Sequence, residues 1–341
     1  MKLQDRIDAF VALGDKLRTL DEETASMLTR RANDGNGWFD NNTVSNAITG
    51  ITKMLERDVL NKWVTKYPST NDATPQRVLI VMAGNIPAVG FHDALCTLIT
   101  GNILMAKLSS SDTFLMTILF TWLKEIEPRF NDKIVILDAP IKEIDKVIAT
   151  GSDNSSRYFV KYFDKYPNII RQNRSSIAVV RGDESKEALT KLTSDIFLYY
   201  GLGCRNISKI YTPKGYDHTL LMAALEDAAK ETIINHKYAN NYDYNKSIYL
   251  INKVKHLDNG GLILTESTEM VSPISVLYYE TYENGQDLKD KIDQNKEKIQ
   301  CIVTEGRWLA NSEDFGLAQF PTVDTYADEI DTMEFLSPIL A

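Results

Sequence analysis

The residues of this 341-residue chain that can do chemistry are three cysteines, four histidines, a few serine runs and one basic stretch. Cys96, Cys204 and Cys301 are an odd, scattered set, neither a disulfide framework nor a CxxC metal pair. That usage fits a reducing compartment, so a cytoplasmic protein is expected. Cys96 (in HDALCTLI) and Cys301 (in IQCIVT) lie in apolar runs and read as small buried side chains. Cys204 lies in YYGLGCRN (199–206), where Gly201 and Gly203 remove bulk and Arg205 is an adjacent cation that favours thiolate. From spacing alone, a nucleophile and a buried apolar thiol serve Cys204 equally well. His92, His218, His236 and His256 are isolated, with no HExxH pattern, so no metal is expected. No GxSxG elbow occurs, and the serines at 109–111 and 155–156 read as loops or caps. The stretch 157–181 holds Arg157, Lys161, Lys165, Arg171, Arg174 and Arg181 against Asp164 alone, a local +5 in a chain of net charge -9. It either grips anionic phosphates or is a solvated helix face followed by a loop.

The elements that must position these residues follow from hydrophobic periodicity. Leu3 to Leu28 has helical spacing, 33–42 is a polar break, 43–66 is a second helical stretch and 68–75 is a loop. A β/α alternation follows. Strands are predicted at 78–83, 103–108, 133–139, 146–150, 177–180, 209–212, 247–251, 262–265, 275–280 and 299–304. Helices are predicted over 88–100, 113–126 (capped by Ser111 and Asp112), 153–165, 185–200, 217–235 and 286–297. This predicts an α/β protein with parallel sheets covered on both faces. The length suits about two domains, although the junction near 166–176 shows no clear linker. The negative charge argues against a nucleic-acid or anionic-membrane binder. The N-terminus MKLQDRIDAF is charged where a signal peptide is apolar. The weakly charged run from Val78 to Ala106 is interrupted by Gly84, Asn85, Pro87, Gly90, His92 and Asp93, so no membrane span is expected. No GxGxxG fingerprint follows the strand at 78–83. Gly201-Leu202-Gly203 follows a helix instead, and so does not qualify.

Taken in chain order, several segments resemble the aldehyde dehydrogenase superfamily. The likeness is greatest to its LuxC-like acyl-CoA reductase branch, the fatty-acid and acyl-protein thioester reductases. Ala83-Gly84-Asn85-Ile86-Pro87 resembles the Pro-Trp-Asn-x-Pro loop, and Gly201-Leu202-Gly203-Cys204 resembles the Gly-Gln-x-Cys nucleophile segment. The resemblance implies that Cys204 is the nucleophile and that Asn85 stabilises the oxyanion, helped by the Cys204 N–H. Gly101 to Ser109 resembles Gly-Asn-x-x-x-x-Lys-Pro-Ser, which implies a cofactor site at Lys107, Ser109 and Ser110. Ser110 stands where NAD-preferring relatives often carry an acidic residue, so NADPH is implied, with NADH possible. Gly151-Ser152 resembles the Gly-Ser that opens the cofactor-facing helix, whose N-terminus suits phosphate or a nicotinamide-side contact. Glu269-Met270-Val271-Ser272-Pro273 resembles Glu-Ile-Phe-Gly-Pro, which implies that Glu269 holds the nicotinamide ribose. The segment 318–336 resembles the tail of the short acyl-CoA reductases.

Three departures qualify the resemblance. Gly84 replaces the usual Trp and Val271 the usual Phe. The general-base Glu of aldehyde oxidisers would fall in RQNRSS (171–176), which has no carboxylate. An acyl-enzyme without a base hydrolyses slowly, which suits reduction; the departure also suits Arg171 or Arg174 as an expected contact to a coenzyme A phosphate.

The implied fold is α/β and aldehyde-dehydrogenase-like, with two Rossmann-like three-layer αβα domains. The expected division is a cofactor domain at 1–172, a catalytic domain at 173–318 and a tail at 319–341 that packs back or joins an oligomer interface. The implied reaction is NADPH-dependent reduction of acyl-CoA or an acyl-protein to an aldehyde. Three alternatives stand beside it: acyl-phosphate reduction, NAD-dependent aldehyde oxidation, and a non-catalytic scaffold. Acyl-transferase or acyl-synthetase subunits are the implied partners, and a homo-oligomer is expected.

Overall fold

The computed structural model describes residues 1–68, 74–138, 143–151 and 153–337. The chain divides into two compact units. One is Met1–Asn173 together with the segment from Thr322, and the other is Arg174–Pro321.

The first unit opens with four helices: α1 (Leu3–Arg18), α2 (Glu22–Gly35), α3 (Asn41–Met54) and α4 (Arg57–Val64). The continuous helix expected over 3–28 is two helices, because the Asp21 side chain accepts from Thr24 N at 2.7 Å and starts α2. The stretch 43–66 is likewise broken between α3 and α4. The alternating core comprises β1 (Arg77–Val81), α5 (Phe91–Ile99), β2 (Ile103–Lys107), α6 (Thr113–Ile126), β3 (Ile134–Ile136), β4 (Lys146–Thr150), α7 (Asp153–Phe163) and β5 (Asn168–Arg171). β5 falls in the stretch where the sequence indicated no element. The sheet order is β3-β2-β1-β4-β5, and every neighbouring pair is parallel. β1 and β4 are buried on both faces, as their unbroken apolar runs require, and each fully buried Val, Leu or Ile contributes about 1.5–3 kcal/mol. Strand order reverses between β1 and β4. A crevice outside the carboxyl ends of strands at such a reversal is where ligands bind in open α/β sheets.

The second unit comprises β6 (Ser175–Val179), α8 (Lys186–Thr190), α9 (Leu192–Phe197), β7 (Ile207–Pro213), α10 (Thr219–Ala224), α11 (Glu226–Thr232), α12 (His236–Ile251), β8 (His256–Asp258), β9 (Ile263–Glu266), β10 (Val276–Tyr282), α13 (Gly285–Asn295) and β11 (Ile299–Thr304). Its sheet order is β11-β6-β7-β10-β9-β8. The sheet is mixed rather than wholly parallel, because β8 pairs antiparallel with β9. A tight hairpin makes this possible. Gly260 adopts φ +92, Asp258 accepts from Gly260 N at 2.8 Å, and Asn259 accepts from Leu262 N at 2.9 Å. The strand expected at 247–251 is the last turn of α12. Asn235 caps that helix through Lys237 N and Tyr238 N, and Tyr238, Tyr242 and Asn245 form its buried face at helical spacing. The chain then returns to the first unit, where Val323 and, on α14 (Thr332–Leu336), Met333 and Leu336 join a core with Phe10, Leu55, Trp63 and Leu95. Among the described residues, no helix is long and apolar enough to cross a membrane.

Candidate active site

In the first unit, three loops leave the carboxyl ends of adjacent strands. Lys107 ends β2, pairs in register with Val81 of β1 and is exposed, and its carbonyl accepts from Met82 N at 3.0 Å. Ser109 organises the turn that follows. Its carbonyl accepts from Asp112 N at 3.1 Å and its Oγ from Ser111 N at 3.2 Å, while Ser110 is exposed. The β1 loop carries an exposed Asn85 next to a buried Gly84. A Cβ at Gly84 would lie 2.4 Å from Ser109 Oγ. The 83–90 and 107–112 loops therefore pack directly together. Gly151 follows β4 and opens α7. A Cβ there would meet Phe159 at 2.8 Å and Ser155 at 2.9 Å, so only glycine lets the backbone lie against the first turn of that helix. Ser152 lies outside the described residues.

Asp112 does not act as the helix cap its position suggests. Its side chain bonds no helix N–H and instead accepts from Ala88 N at 2.6 Å, pinning the Asn85 loop where Ala88 takes φ +53. Asp112 is 4% exposed, and its Oδ1 has no hydrogen-bond partner. Burial pushes its pKa up to about 7 against the opposing Ala88 N–H. A raised folded-state value means that the native state holds the proton more tightly than the unfolded chain. The stabilisation is complete below the ordinary carboxylate range and is lost as pH rises towards and through 7, by up to about 1.4 kcal/mol per pH unit. Asp112→Asn mimics the protonated form, so its unfolding free energy is expected to fall less steeply between pH 5 and 8 than that of the wild type, the remaining slope including that of Asp195, which burial raises likewise. Parallel curves from thermal denaturation across that range would sink this reading.

Arg171 requires a correction. The expected phosphate contact is not available to it, because its side chain is 6% exposed and already paired. Nη1 donates to Asp93 Oδ2 at 2.5 Å, and Nη2 donates to Asp93 Oδ1 at 2.9 Å and to Thr332 Oγ1 at 3.0 Å. Arg171 therefore ties β5 to α5 and α14 inside the first unit.

In the second unit, the chain leaves α9 through two left-handed residues, Tyr200 at φ +56 and Gly201 at φ +85. It then turns at Gly203, whose carbonyl accepts from Asn206 N at 3.1 Å, and enters β7. Cys204 sits on that turn and is exposed, whereas Cys96 and Cys301 are buried. Burial pushes the Cys96 thiol well above its ordinary range and raises Cys301 too. The turn is held from the start of β6. Ser176 Oγ donates to the Cys204 carbonyl at 3.0 Å and Ser175 Oγ to the Asn206 carbonyl at 3.2 Å. Arg205 donates through Nε to the Ala318 carbonyl and through Nη2 to Cys301 Sγ at 3.4 Å. Arg174 donates to the Ile299 carbonyl at 3.3 Å and has Glu297 at 3.9 Å.

Glu269 is exposed in the loop between β9 and β10, and β7 braces both of its neighbours. Lys209 Nζ donates to the Thr268 carbonyl at 3.0 Å and Ser208 Oγ to the Met270 carbonyl at 2.6 Å. One stretch of six residues, 204–209, thus carries the exposed thiol and anchors the Glu269 segment. Val271, in the same loop, is 58% exposed. Sequence reasoning missed Asp112 as a loop anchor, and it missed Asp195, Ser175, Ser176 and Lys209 entirely. The one available signal was Asp195 itself, a lone carboxylate within the run LTSDIFLYY. Such a carboxylate is buried at a cost unless it is fully hydrogen-bonded.

Comparison with known proteins places the chain. Among solved structures, betaine aldehyde dehydrogenase of Staphylococcus aureus in complex with NAD+ aligns at TM-score 0.65 and 16% identity, over 94% of this chain and 72% of that one. The Mycobacterium tuberculosis aldehyde dehydrogenase complexed with NAD+ aligns at TM-score 0.64 and 13% identity, over 89% and 73%. The fold is therefore aldehyde-dehydrogenase-like, as the ordered motifs implied. The long-chain acyl-protein thioester reductase of Aliivibrio fischeri is 23% identical over 169 residues, covering 45% of this chain and 35% of that protein. The match thus spans about a third of that relative. A family model described as acyl-CoA reductase (LuxC) matches residues 15–231, more than half of the sequence, and the chain belongs to that family.

Proposed function

We propose that the protein reduces an acyl thioester, acyl-CoA or acyl-protein, to an aldehyde through an acyl-enzyme on Cys204, with NADPH as the preferred reductant. The observation that carries this reading is the contrast among the thiols: Cys204 alone is exposed, on a turn braced by Ser176. The first unit is the cofactor-binding part and the second the catalytic part.

The donors at the carboxyl ends of β2 and β4 suit a dinucleotide. Lys107 supplies a cation, Ser109 and Ser110 supply hydroxyls, and the N-terminus of α7 beside Gly151 suits a phosphate. Glu269 in the second unit is the candidate for the nicotinamide ribose. The only carboxylate that follows Lys107 closely, Asp112, is buried against Ala88, so no exposed acid opposes a 2′-phosphate within 107–112. When bound, the cofactor would supply a hydride to the acyl carbonyl held on Cys204; the acyl C–S bond then breaks, which releases the aldehyde and returns the Cys204 thiolate.

The chain's own residues do the rest. The Cys204 thiolate adds to the thioester carbonyl, the C–S bond to the leaving thiol breaks, and that thiol is released. The Asn85 amide and the Cys204 N–H donate to the oxyanion as it forms. At 171–176, where aldehyde oxidisers place their base, this chain has no carboxylate, and Ser175 and Ser176 spend their hydroxyls on backbone carbonyls. No side chain in that segment activates water, so the acyl-enzyme persists for reduction or exchange with a thiol.

Acyl-dependent loss of nicotinamide absorbance, with free aldehyde as product, tests the assignment. Acyl phosphate as the better donor would redirect it to acyl-phosphate reduction. Failure with every acyl donor, together with failure to bind nucleotide, would leave a scaffold that docks acyl-transferring subunits. Asn85→Ala is expected to lower kcat by about 10²–10³-fold, the usual cost of one oxyanion donor. An unchanged kcat removes Asn85 from that role.

A further inference from the structure

We propose that Arg205 is a positioning residue for Cys204: with Asp195 it clamps the backbone at 316–318, and that clamp fixes the turn carrying the thiol. The inference rests on Cys204 being the nucleophile and adds to that reading what holds the sulfur in place.

Asp195 lies on α9 and is fully buried. Its Oδ2 accepts from Gly316 N at 2.7 Å and its Oδ1 from Ala318 N at 2.9 Å. Ser194 Oγ adds a bond to the Gly316 carbonyl at 3.3 Å, and Gln319 Nε2 one to the Asp195 carbonyl at 3.4 Å. Gly316 takes φ +87, and a Cβ there would sit 3.2 Å from the Lys191 carbonyl, so the segment is seated against the α8–α9 junction. Arg205 closes the clamp through the Ala318 carbonyl. Both backbone polar groups of Ala318 are therefore taken, the N–H by Asp195 and the C=O by Arg205. The planar guanidinium also bonds Cys301 Sγ on β11, which fixes its orientation as well as its reach.

The geometry assigns two side chains to one task. Among the described residues the Asp195 carboxylate makes no ion pair, and it spends both oxygens on N–H groups of a segment without regular structure. Cys204 is covalently next to Arg205, and a misplacement of about 1 Å at a reacting group costs on the order of 10²-fold in rate.

The test is a double-mutant cycle with Arg205→Met and Asp195→Asn, plus Arg205→Lys, which keeps a donor able to reach Ala318. Each variant is assayed for kcat, KM, thermal midpoint and iodoacetamide alkylation of Cys204 as a function of pH. The clamp predicts that Arg205→Met loses kcat by about a hundredfold with little change in KM. Asp195→Asn should fall in the same direction, the double variant should be no worse than the poorer single one, and Lys should restore part of the loss. If Arg205 acts only as a charge beside the thiol, Asp195→Asn keeps wild-type kcat and the clamp is overturned.

If the variants do not fold, hydrogen exchange on the wild-type protein decides. Alkylation of Cys204 should change protection at Gly316 and Ala318, and unchanged protection refutes the coupling. Alkylation needs no acyl substrate, so the clamp is measured even if the acyl-reductase reading fails. Turnover that survives loss of Cys204 marks that separate failure.

Discussion

Cys204→Ala is expected to abolish the proposed thioester reduction while the protein keeps its fold and the proposed nucleotide binding; that is the largest effect expected here. The loss should be at least about 10⁴-fold, because removing a covalent nucleophile leaves only binding and oxyanion stabilisation. Stability should move by no more than about 0.5 kcal/mol, because Cys204 is exposed and the turn is held by backbone groups and Ser176. The other two cysteines give the opposite pattern. Cys96 is buried in the core of the first unit and Cys301 accepts from Arg205, so Ala at either lowers the unfolding free energy. Mass analysis after brief treatment with iodoacetamide should place the first adduct on Cys204. Acyl-dependent oxidation of the reductant by the Ala variant, at anything near the wild-type rate, would exclude the acyl-enzyme.

The parts of the fold legible in the sequence are those set by neighbours in the chain. Helix 113–126 was bounded by a polar start and by Pro128, and strands 146–150 and 299–304 by short apolar runs; all three have those limits in the structure. Residues 247–251, Ser-Ile-Tyr-Leu-Ile, have strand-forming types, but Asn235 launches a helix that carries through them, and tertiary burial of Tyr238, Tyr242 and Asn245 selects that outcome. β8 is three residues long, too short for any periodicity, and exists because the hairpin at Gly260 pairs it with β9.

The candidate site divides in the same way. Its exposed members, Asn85, Lys107, Cys204 and Glu269, sit in local patterns that a sequence displays. Its supports do not. Asp112 reaches Ala88 across 24 positions, and Asp195 reaches Gly316 across 121. Both are buried aspartates with pKa pushed up to about 7 by burial against opposing backbone N–H donors, and each anchors a segment tied to a proposed catalytic residue. Only the folded chain brings those donors to the carboxylates.

Arg171 makes the same point at the greatest energetic cost. Its partner Asp93 lies 78 positions earlier, and both side chains are under a tenth exposed. Burial alone lowers the guanidinium pKa, but the charge and hydrogen bonds of Asp93 more than offset this, and the net shift is upward. Arg171→Met is therefore expected to destabilise the protein by about 3–5 kcal/mol, because it strands a buried carboxylate. Most of that cost is the unpaired charge, not the lost attraction, since desolvating both ions nearly cancels their mutual gain. The double variant Arg171→Met with Asp93→Leu removes both charges and should recover most of the stability in urea denaturation. A double variant as unstable as the single one means that the arginine's packing and its Thr332 bond matter, not the pair. At a temperature where Arg171→Met remains folded, KM for acyl-CoA should be unchanged. A raised KM with unchanged stability would return this arginine to the substrate phosphate and overturn the structural role.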